Sequence, residues 1–158
     1  MHDDKNNNAI ESTPTRLLLV ANRTCPCPTL PSQVVENIGG LRGEVLVLAP
    51  ALNTRLRHRL SDSDAAVRAA RERMRATIDE LRRLGLTVTG EVGDADPLTA
   101  IADALDKFAA TRIMISTWPA EMSNWLEKDL PSRAAERFHL PIHHIVSRYD
   151  APIAAAIG

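Results

Sequence analysis

Aromatic residues and cysteine are scarce in this sequence. Phe, Tyr and Trp make up 3% of the 158 residues, and the only cysteines are Cys25 and Cys27. Cysteines two positions apart seldom bridge each other, and two thiols do not complete a zinc site, which usually takes four ligands. We therefore expect reduced thiols in a loop after a strand, and we keep a redox or metal role as the less favoured alternative.

Long apolar runs are also missing. No segment approaches the ~20 apolar residues that span a bilayer, and residues 1–15 are polar and acidic, without the apolar stretch of a secretory signal. We expect a cytoplasmic protein with no membrane partner. The 44% of hydrophobic residues can fill a core. We expect residues 1–15 to be a disordered tail, 16–148 a single domain, and 149–158 a C-terminal tail.

The charge balance gives no general attraction to nucleic acid. The net charge is −1, so the chain as a whole has no strong field. Nine arginines lie between Arg55 and Arg83, but five acidic residues are interspersed and no aromatic residues accompany them. A solvated helix face explains this pattern better than a nucleic-acid interface, and we expect no nucleic-acid partner.

The usual catalytic signatures are absent as well. The sequence has no GxSxG, GxGxxG, GxxxxGK[ST] or HExxH pattern. His143 and His144 are adjacent on a predicted strand, so they point to opposite faces and cannot converge on one metal. Asp94 and Asp96 could form a carboxylate pair, but capping of a helix explains Asp96 without further assumptions. We expect no enzyme activity, no catalytic residue and no metal site.

What the sequence does contain is a set of short apolar runs. Three are apolar at nearly every position, which is typical of strands covered on both faces by helices, and two are mixed, which is typical of strands near a sheet edge. The central runs are 17–21, 45–49 and 113–115, and the outer ones are 86–92 and 142–146.

Helical segments separate these strands. The first predicted helix is short, from about Pro31 to Ile38, and the second is long, capped by Asp62 or Asp64 and ended by Gly85. The third starts at Asp96-Pro97. The fourth has an apolar stripe from Leu126 to Phe138, and Pro131 should kink it or split it in two. The order β-α-β-α-β-α-β-α-β predicts a three-layer α/β sandwich. Its five-stranded parallel sheet has the order 3-2-1-4-5, which is Rossmann-like.

In this strand order the winding reverses between the first and fourth strands, and ligands of open α/β sheets bind beyond the carboxyl ends at such a reversal. The predicted crevice is lined by polar residues and one tryptophan, namely Asn22, Arg23, Thr24, Ser116, Thr117 and Trp118. A basic loop follows the second strand. These groups could hold a small anion or a nucleotide, although loop residues of this type are often simply solvated.

Both tryptophans of the chain, Trp118 and Trp125, fall in one stretch after the fourth predicted strand. They could stack on a ligand, anchor a partner, or close the top of the sheet by packing. We favour packing for Trp125, and both interpretations of Trp118 stay open.

The chain resembles the universal stress protein family from Arg16 to about Val146. The resemblance is carried by Leu17-Leu18-Leu19-Val20-Ala21-Asn22, where the family has an apolar strand ending in aspartate, by Gly93-Asp94-Ala95-Asp96-Pro97, and by the closing strand after Leu140-Pro141. ATP-binding members of that family carry three spaced glycines after the fourth strand, and the last glycine is followed by serine or threonine.

The corresponding positions in this chain are Pro119, Met122, Ser132 and Arg133. A proline lacks an N–H donor and a methionine is bulky, so these residues do not reproduce a glycine cradle for phosphates. The chain therefore resembles the branch of the family that does not use ATP. Ser132 and Arg133 remain candidate ligand residues because a helix N-terminus there could still bind an anion weakly.

The resemblance implies a non-enzymatic domain with a stress-related binding or regulatory role and no resident cofactor. The alternative is a sensor of ATP, another nucleotide or a small anion, with a remodelled pocket. The resemblance also implies a homodimer in which the C-terminal edge strand pairs with its copy. Such a strand would otherwise be an exposed edge.

Overall fold

A computed structural model describes residues 14–21, 29–39, 42–51, 62–117 and 129–146. The elements alternate from β1 (Arg16–Ala21), α1 (Leu30–Ile38), β2 (Glu44–Pro50), α2 (Asp62–Arg83) and β3 (Thr87–Gly93) to α3 (Pro97–Lys107), β4 (Arg112–Thr117), α4 (Leu130–Phe138) and β5 (Ile142–Val146). Most of the predicted tails, 1–13 and 147–158, lie outside the described residues, and so do the two cysteines.

The five strands form one parallel sheet in the order β3-β2-β1-β4-β5. This confirms the predicted order. The continuous apolar runs do lie in the centre, since Leu17, Leu18 and Leu19 have no exposed surface. Burying a leucine side chain is worth roughly 1.5–3 kcal/mol, so covering both faces of β1 is a main source of stability.

Helices cover both faces of the sheet. One core joins α1 and α2 to the face that carries Leu17, Leu19 and Met114. The other joins α3 and α4 to the face that carries Leu18 and Ile113. The molecule is therefore the three-layer sandwich that the sequence predicts.

The ends of the helices agree with the sequence in part. Gly39 (φ 70°) and Gly85 (φ 87°) take the left-handed conformation after α1 and α2, as the stop signals predict. The N-cap of α2 falls outside the described residues, and Asp64 lies inside the helix rather than capping it.

The last helix differs from the prediction in its start. α4 begins at Leu130, with Pro131 in its first turn, so the proline starts the helix and does not kink it. The preceding part of the predicted stripe, including Leu126, lies outside the described residues. Leu84, which the pattern places on the buried face of the long helix, is 43% exposed and follows the end of α2.

Candidate functional site

The carboxyl ends of the strands meet at one edge of the sheet, which we call the carboxyl edge. In the register of the sheet, Ala21 at the end of β1 lies beside Ser116 of β4, and Thr117 lies beside Val146 of β5. β1 and β4 are neighbours whose flanking helices lie on opposite faces. The reversal of winding on which the predicted crevice depends is therefore present.

Ser116 and Thr117 are both buried, at 4% exposure each. Successive residues of a strand point to opposite faces. Ser116 follows Met114 on the α1 and α2 side, whereas Thr117 follows Ile113 and Ile115 on the α3 and α4 side. The two predicted ligand residues are thus side by side in sequence but separated by the sheet, and a ligand on one face reaches only one of these hydroxyls.

Thr117 makes a contact that the sequence does not predict. Its Oγ1 lies 2.6 Å from Nε2 of His144, which is on the same face of β5, two residues before the Val146 that pairs with Thr117. His144 is exposed overall, but its Nε2 end lies against the buried Thr117. Burial of that end, and secondly the charge of His143, lower the pKa of His144 below its ordinary value of 6.5. The neutral imidazole is therefore the favoured form here.

The two histidines do point to opposite faces, as expected. His143 Nε2 lies 3.3 Å from Oε1 of Gln33 on α1, while His144 contacts Thr117 on the other face. Among the described residues, no three His, Cys, Asp or Glu side chains are grouped closely enough to hold a metal ion. Each histidine instead has a polar neighbour within hydrogen-bond distance.

Ser132 and Arg133 lie in the first turn of α4, and both are exposed. α4 connects two parallel strands, so its N-terminus returns to the carboxyl edge. Asp129 precedes the helix in the left-handed conformation (φ 61°) and makes no side-chain capping bond. Arg133 N–H already donates to the Asp129 carbonyl at 2.9 Å, so the helix itself uses this donor.

The other predicted ligand residues, Asn22, Thr24 and Trp118, lie outside the described residues. The same holds for Arg23, for Trp125, for Pro119 and Met122, and for the basic loop after β2. The described part of the crevice is therefore its floor, formed by the ends of β1 and β4, and the first turn of α4.

The acidic residues before α3 serve the helix. Asp96 accepts hydrogen bonds from the backbone N–H of Thr99 (3.1 Å) and from its hydroxyl (2.7 Å), and Asp94 accepts from the N–H of Asp96 (2.8 Å). The predicted cap is confirmed. Both carboxylates are engaged in local hydrogen bonds of the kind that starts a helix.

A shallow cavity of about 210 Å³ lies at the opposite, amino edge of the sheet. Its lining is formed by Asn37, Arg112, Ile113, Pro141, Ile142 and His143. Arg112 Nη1 donates to the Asn37 carbonyl at 3.2 Å, so its guanidinium is already partly engaged. The cavity does not belong to the predicted crevice. Within the described ranges, no helix is both long and apolar enough to cross a membrane.

Several solved structures have this fold. A universal stress protein from Archaeoglobus fulgidus matches 83% of this chain and 93% of its own, with a TM-score of 0.58 and 14% identity. A universal stress protein family protein from Arabidopsis thaliana with AMP bound covers 87% and 94%, with a TM-score of 0.56 and 11% identity. A universal stress protein in complex with cAMP covers 87% and 100%, with a TM-score of 0.53 and 12% identity.

No protein-family model and no curated protein matches the sequence. The likeness is therefore one of fold, and it extends over nearly the whole length of the matching structures. The predicted resemblance to universal stress proteins is confirmed at the level of the fold.

Proposed function

We propose that this chain, which has the fold of the universal stress proteins, is a non-enzymatic domain with a stress-related binding or regulatory role, and that it does not bind ATP through a glycine motif. The observation that carries this proposal is the sheet order 3-2-1-4-5 together with the match to universal stress protein structures along most of the chain. A fold alone does not assign an activity, so the rest of the argument depends on individual residues.

The residues after β4 support the part of the proposal that concerns ATP. Pro119, Met122 and Ser132 stand where ATP-binding members have glycine, and Arg133 stands where serine or threonine follows the last glycine. A triphosphate cradle needs several free backbone N–H groups in close approach. Proline has no such group, and the N–H of Arg133 is already donated to Asp129. A triphosphate bound there would find no N–H at Pro119 and would have to compete with the Asp129 carbonyl for the N–H of Arg133.

The polar groups at the carboxyl edge support a binding role over a catalytic one. In the described part of the chain, Asp94 and Asp96 start α3, and His144 lies in a hydrogen bond with Thr117. A general acid or base needs a titratable group within hydrogen-bond reach of a substrate. The groups described here are committed to the fold instead.

The second candidate function is a sensor of a nucleotide or small anion at the crevice between β1 and β4. Two of the matching structures contain AMP or cAMP. The observation that favours this alternative is the N-terminus of α4, which brings the exposed Ser132 and Arg133 to the carboxyl edge of the sheet. A helix N-terminus with an arginine is a suitable partner for one phosphate group.

A homodimer in the cytoplasm completes the proposal. β5 is the last strand of the sheet and has no described neighbour on its outer side. Unpaired strand edges tend to be covered or paired, and a second copy of the same strand supplies a partner by symmetry.

Isothermal titration calorimetry of the full chain with ATP, AMP, cAMP and inorganic phosphate tests the binding part. We expect no binding of ATP at micromolar concentrations. AMP or cAMP binding that Arg133→Gln weakens and Glu136→Gln leaves unchanged would establish the sensor function instead; both substitutions are on exposed positions of α4. Micromolar binding of ATP would overturn the proposal.

A further inference from the structure

The strand β3 forms the edge of the sheet opposite β5, and its backbone groups alternate between β2 and the outer side. Ala51 N–H donates to the Gly93 carbonyl at 3.1 Å, so Gly93 directs its carbonyl toward β2. Successive residues of a strand direct their N–H and C=O groups to alternate sides. The groups of Val88, Gly90 and Val92 therefore point away from β2, and we call this row the outer β3 edge.

This edge has the features of a strand that can pair with another chain. β3 pairs with β2 in one continuous register from Thr87 to Gly93, without a bulge. It contains no proline, which would remove a backbone donor. Long and regular edges of this kind are templates for pairing with a further strand, and proteins usually block them.

The charged residue of β3 does little to block the edge. Glu91 is the charged residue of this strand, and its Oε1 lies 2.8 Å from Nζ of Lys107 on α3. The ammonium group balances the charge of the carboxylate. A balanced charge repels an approaching strand less than a free one does.

Arg82, in the last turn of α2, covers the edge instead. Its Nη2 donates to the Val88 carbonyl at 2.8 Å, and its Nε donates to the same oxygen at 3.3 Å. Because the Val88 carbonyl points outward, the guanidinium lies on the outer β3 edge. A carbonyl oxygen has two lone pairs, so one that accepts two hydrogen bonds from a cation has none left for the N–H of another strand.

The adjacent arginine makes no such contact. Arg83 is also in the last turn of α2 and is exposed. Within the described part of the chain, its side chain makes no hydrogen bond or ion pair. The contact with the Val88 carbonyl therefore belongs to one position of the helix, and Arg83 provides a reference for it.

We propose that Arg82 keeps the outer β3 edge from pairing with a second copy of this chain. Without its guanidinium, Val88, Gly90 and Val92 present a continuous row of N–H and carbonyl groups. Gly90 adds no side chain that would keep another backbone away, so a second β3 can pair with this row. The proposal goes beyond the proposed function and does not depend on the homodimer, because it concerns the other edge of the sheet.

Multi-angle light scattering of the full chain tests the proposal with Arg82→Met, which keeps an apolar stem and removes every donor. We expect the weight-average mass to rise by about twofold or more above that of the wild type at the same concentration. Arg83→Met is the matched control, because it adds the same side chain at the next position of α2. We expect it to keep the wild-type mass.

Two further measurements locate the new contact. The amides of Val88, Gly90 and Val92 should exchange with deuterium more slowly in Arg82→Met than in the wild type, because they become hydrogen-bonded. Adding Thr89→Lys to Arg82→Met should restore the wild-type mass, since a lysine on an edge strand disfavours pairing. Thr89 is exposed, so the fold has room for this lysine.

Circular dichroism establishes that each variant is folded. If Arg82→Met is not folded, Arg82→Lys replaces it and is judged in the same way, because a single ammonium group replaces the planar fork of donors. A folded variant with the wild-type mass would overturn the proposal and leave Arg82 as a contact that only anchors α2 to β3.

The remaining outcomes separate the outer β3 edge from other causes of association. Equal association of Arg82→Met and Arg83→Met, or association that Thr89→Lys does not reverse, would show that the new contact is not this edge. A wild-type chain that is monomeric would remove the proposed homodimer, whereas the inference about Arg82 would stand, since it rests on the difference between each variant and the wild type.

Discussion

Among the described residues near the carboxyl edge, His144 has both a contact with a neighbouring strand and a shifted pKa. Its hydrogen bond to Thr117 joins the middle of β5 to the end of β4. We expect NMR titration of the His144 ring protons to give a pKa below 6.5, because burial and then the charge of His143 disfavour the cation.

The same NMR titration tests the smaller of the two causes of the lowered pKa, which is the charge of His143. His143→Gln removes a neighbouring positive charge and should raise the pKa of His144 toward 6.5 without reaching it, since burial persists. The contribution of His144 to the free energy of unfolding is complete above pH 6.5 and is lost as the pH falls below that value. A pKa above 6.5 in the wild type would contradict this description.

Gly90 lies inside β3 and Gly93 lies at its end, and replacing either glycine should change the free energy of unfolding. A Cβ on Gly93 would lie 2.7 Å from Cβ of Ala100 and 2.8 Å from Cδ1 of Leu48. A Cβ on Gly90 would meet Cδ1 of Ile78 and the side chain of Met74. Side-chain ends can move aside, and methionine adapts easily, whereas Cβ of Ala100 is fixed to the backbone of α3.

We therefore expect Gly93→Ala to lower the free energy of unfolding by about 1–3 kcal/mol, and Gly90→Ala to lower it by less. Urea denaturation measures both, provided that the m-value is unchanged. If Gly90→Ala proves the more destabilising of the two, the packing of α3 against the end of β3 is not as described.

Contacts between residues that are close in sequence could be predicted, whereas contacts between residues that are distant in sequence could not. The cap of α3 follows from Asp96-Pro97 because an N-cap and its partner are three residues apart. The contact between Thr117 and His144 depends on the register of two strands whose residues are 27 apart in sequence. Nothing in the local pattern specifies that register.

Among the described elements, β5 is one of the two edge strands of the sheet, and it has no described neighbour on its outer side. Val146, which lies at the end of this edge strand, is 43% exposed. We expect Val146→Asp to weaken the proposed homodimer by about tenfold or more, because pairing of β5 with its copy brings one carboxylate from each chain into the interface.

Leu84→Asp supplies the matched control for that variant. Leu84 is also 43% exposed, but it follows α2, which contacts β2 and β3 near the other edge of the sheet. Analytical ultracentrifugation should show a dimer for Leu84→Asp and dissociation for Val146→Asp. Equal effects of the two substitutions would mean that the β5 edge is not the interface.

The elements themselves were predictable to different degrees. Continuous apolar runs identify β1, β2 and β4 because strands covered on both faces leave no polar positions. The stripe from Leu126 to Phe138 left open whether Pro131 kinks a helix or splits it in two; α4 begins at Leu130 with the proline in its first turn, where proline is favoured, and Leu126 lies outside the described residues. Periodicity measures which face is apolar and does not mark where a helix begins.

For the whole molecule, the order of the strands in the sheet could be derived from which segments are apolar throughout, together with the handedness of the crossovers. Two mixed strands belong outside and three apolar strands inside, and right-handed crossovers then leave the order 3-2-1-4-5. The crevice could be located by the same reasoning, but Ser116 and Thr117 turned out to lie on opposite faces. Ligands of open α/β sheets are held by loops at the carboxyl edge, and loop residues do not follow from the apolar pattern.

Native mass spectrometry of the purified chain at neutral pH tests the proposed dimeric domain that does not bind ATP, because one spectrum reports both the number of subunits and any retained nucleotide. We expect the mass of two chains without bound ATP. A species with the mass of a single chain, or one that carries ATP, would contradict it.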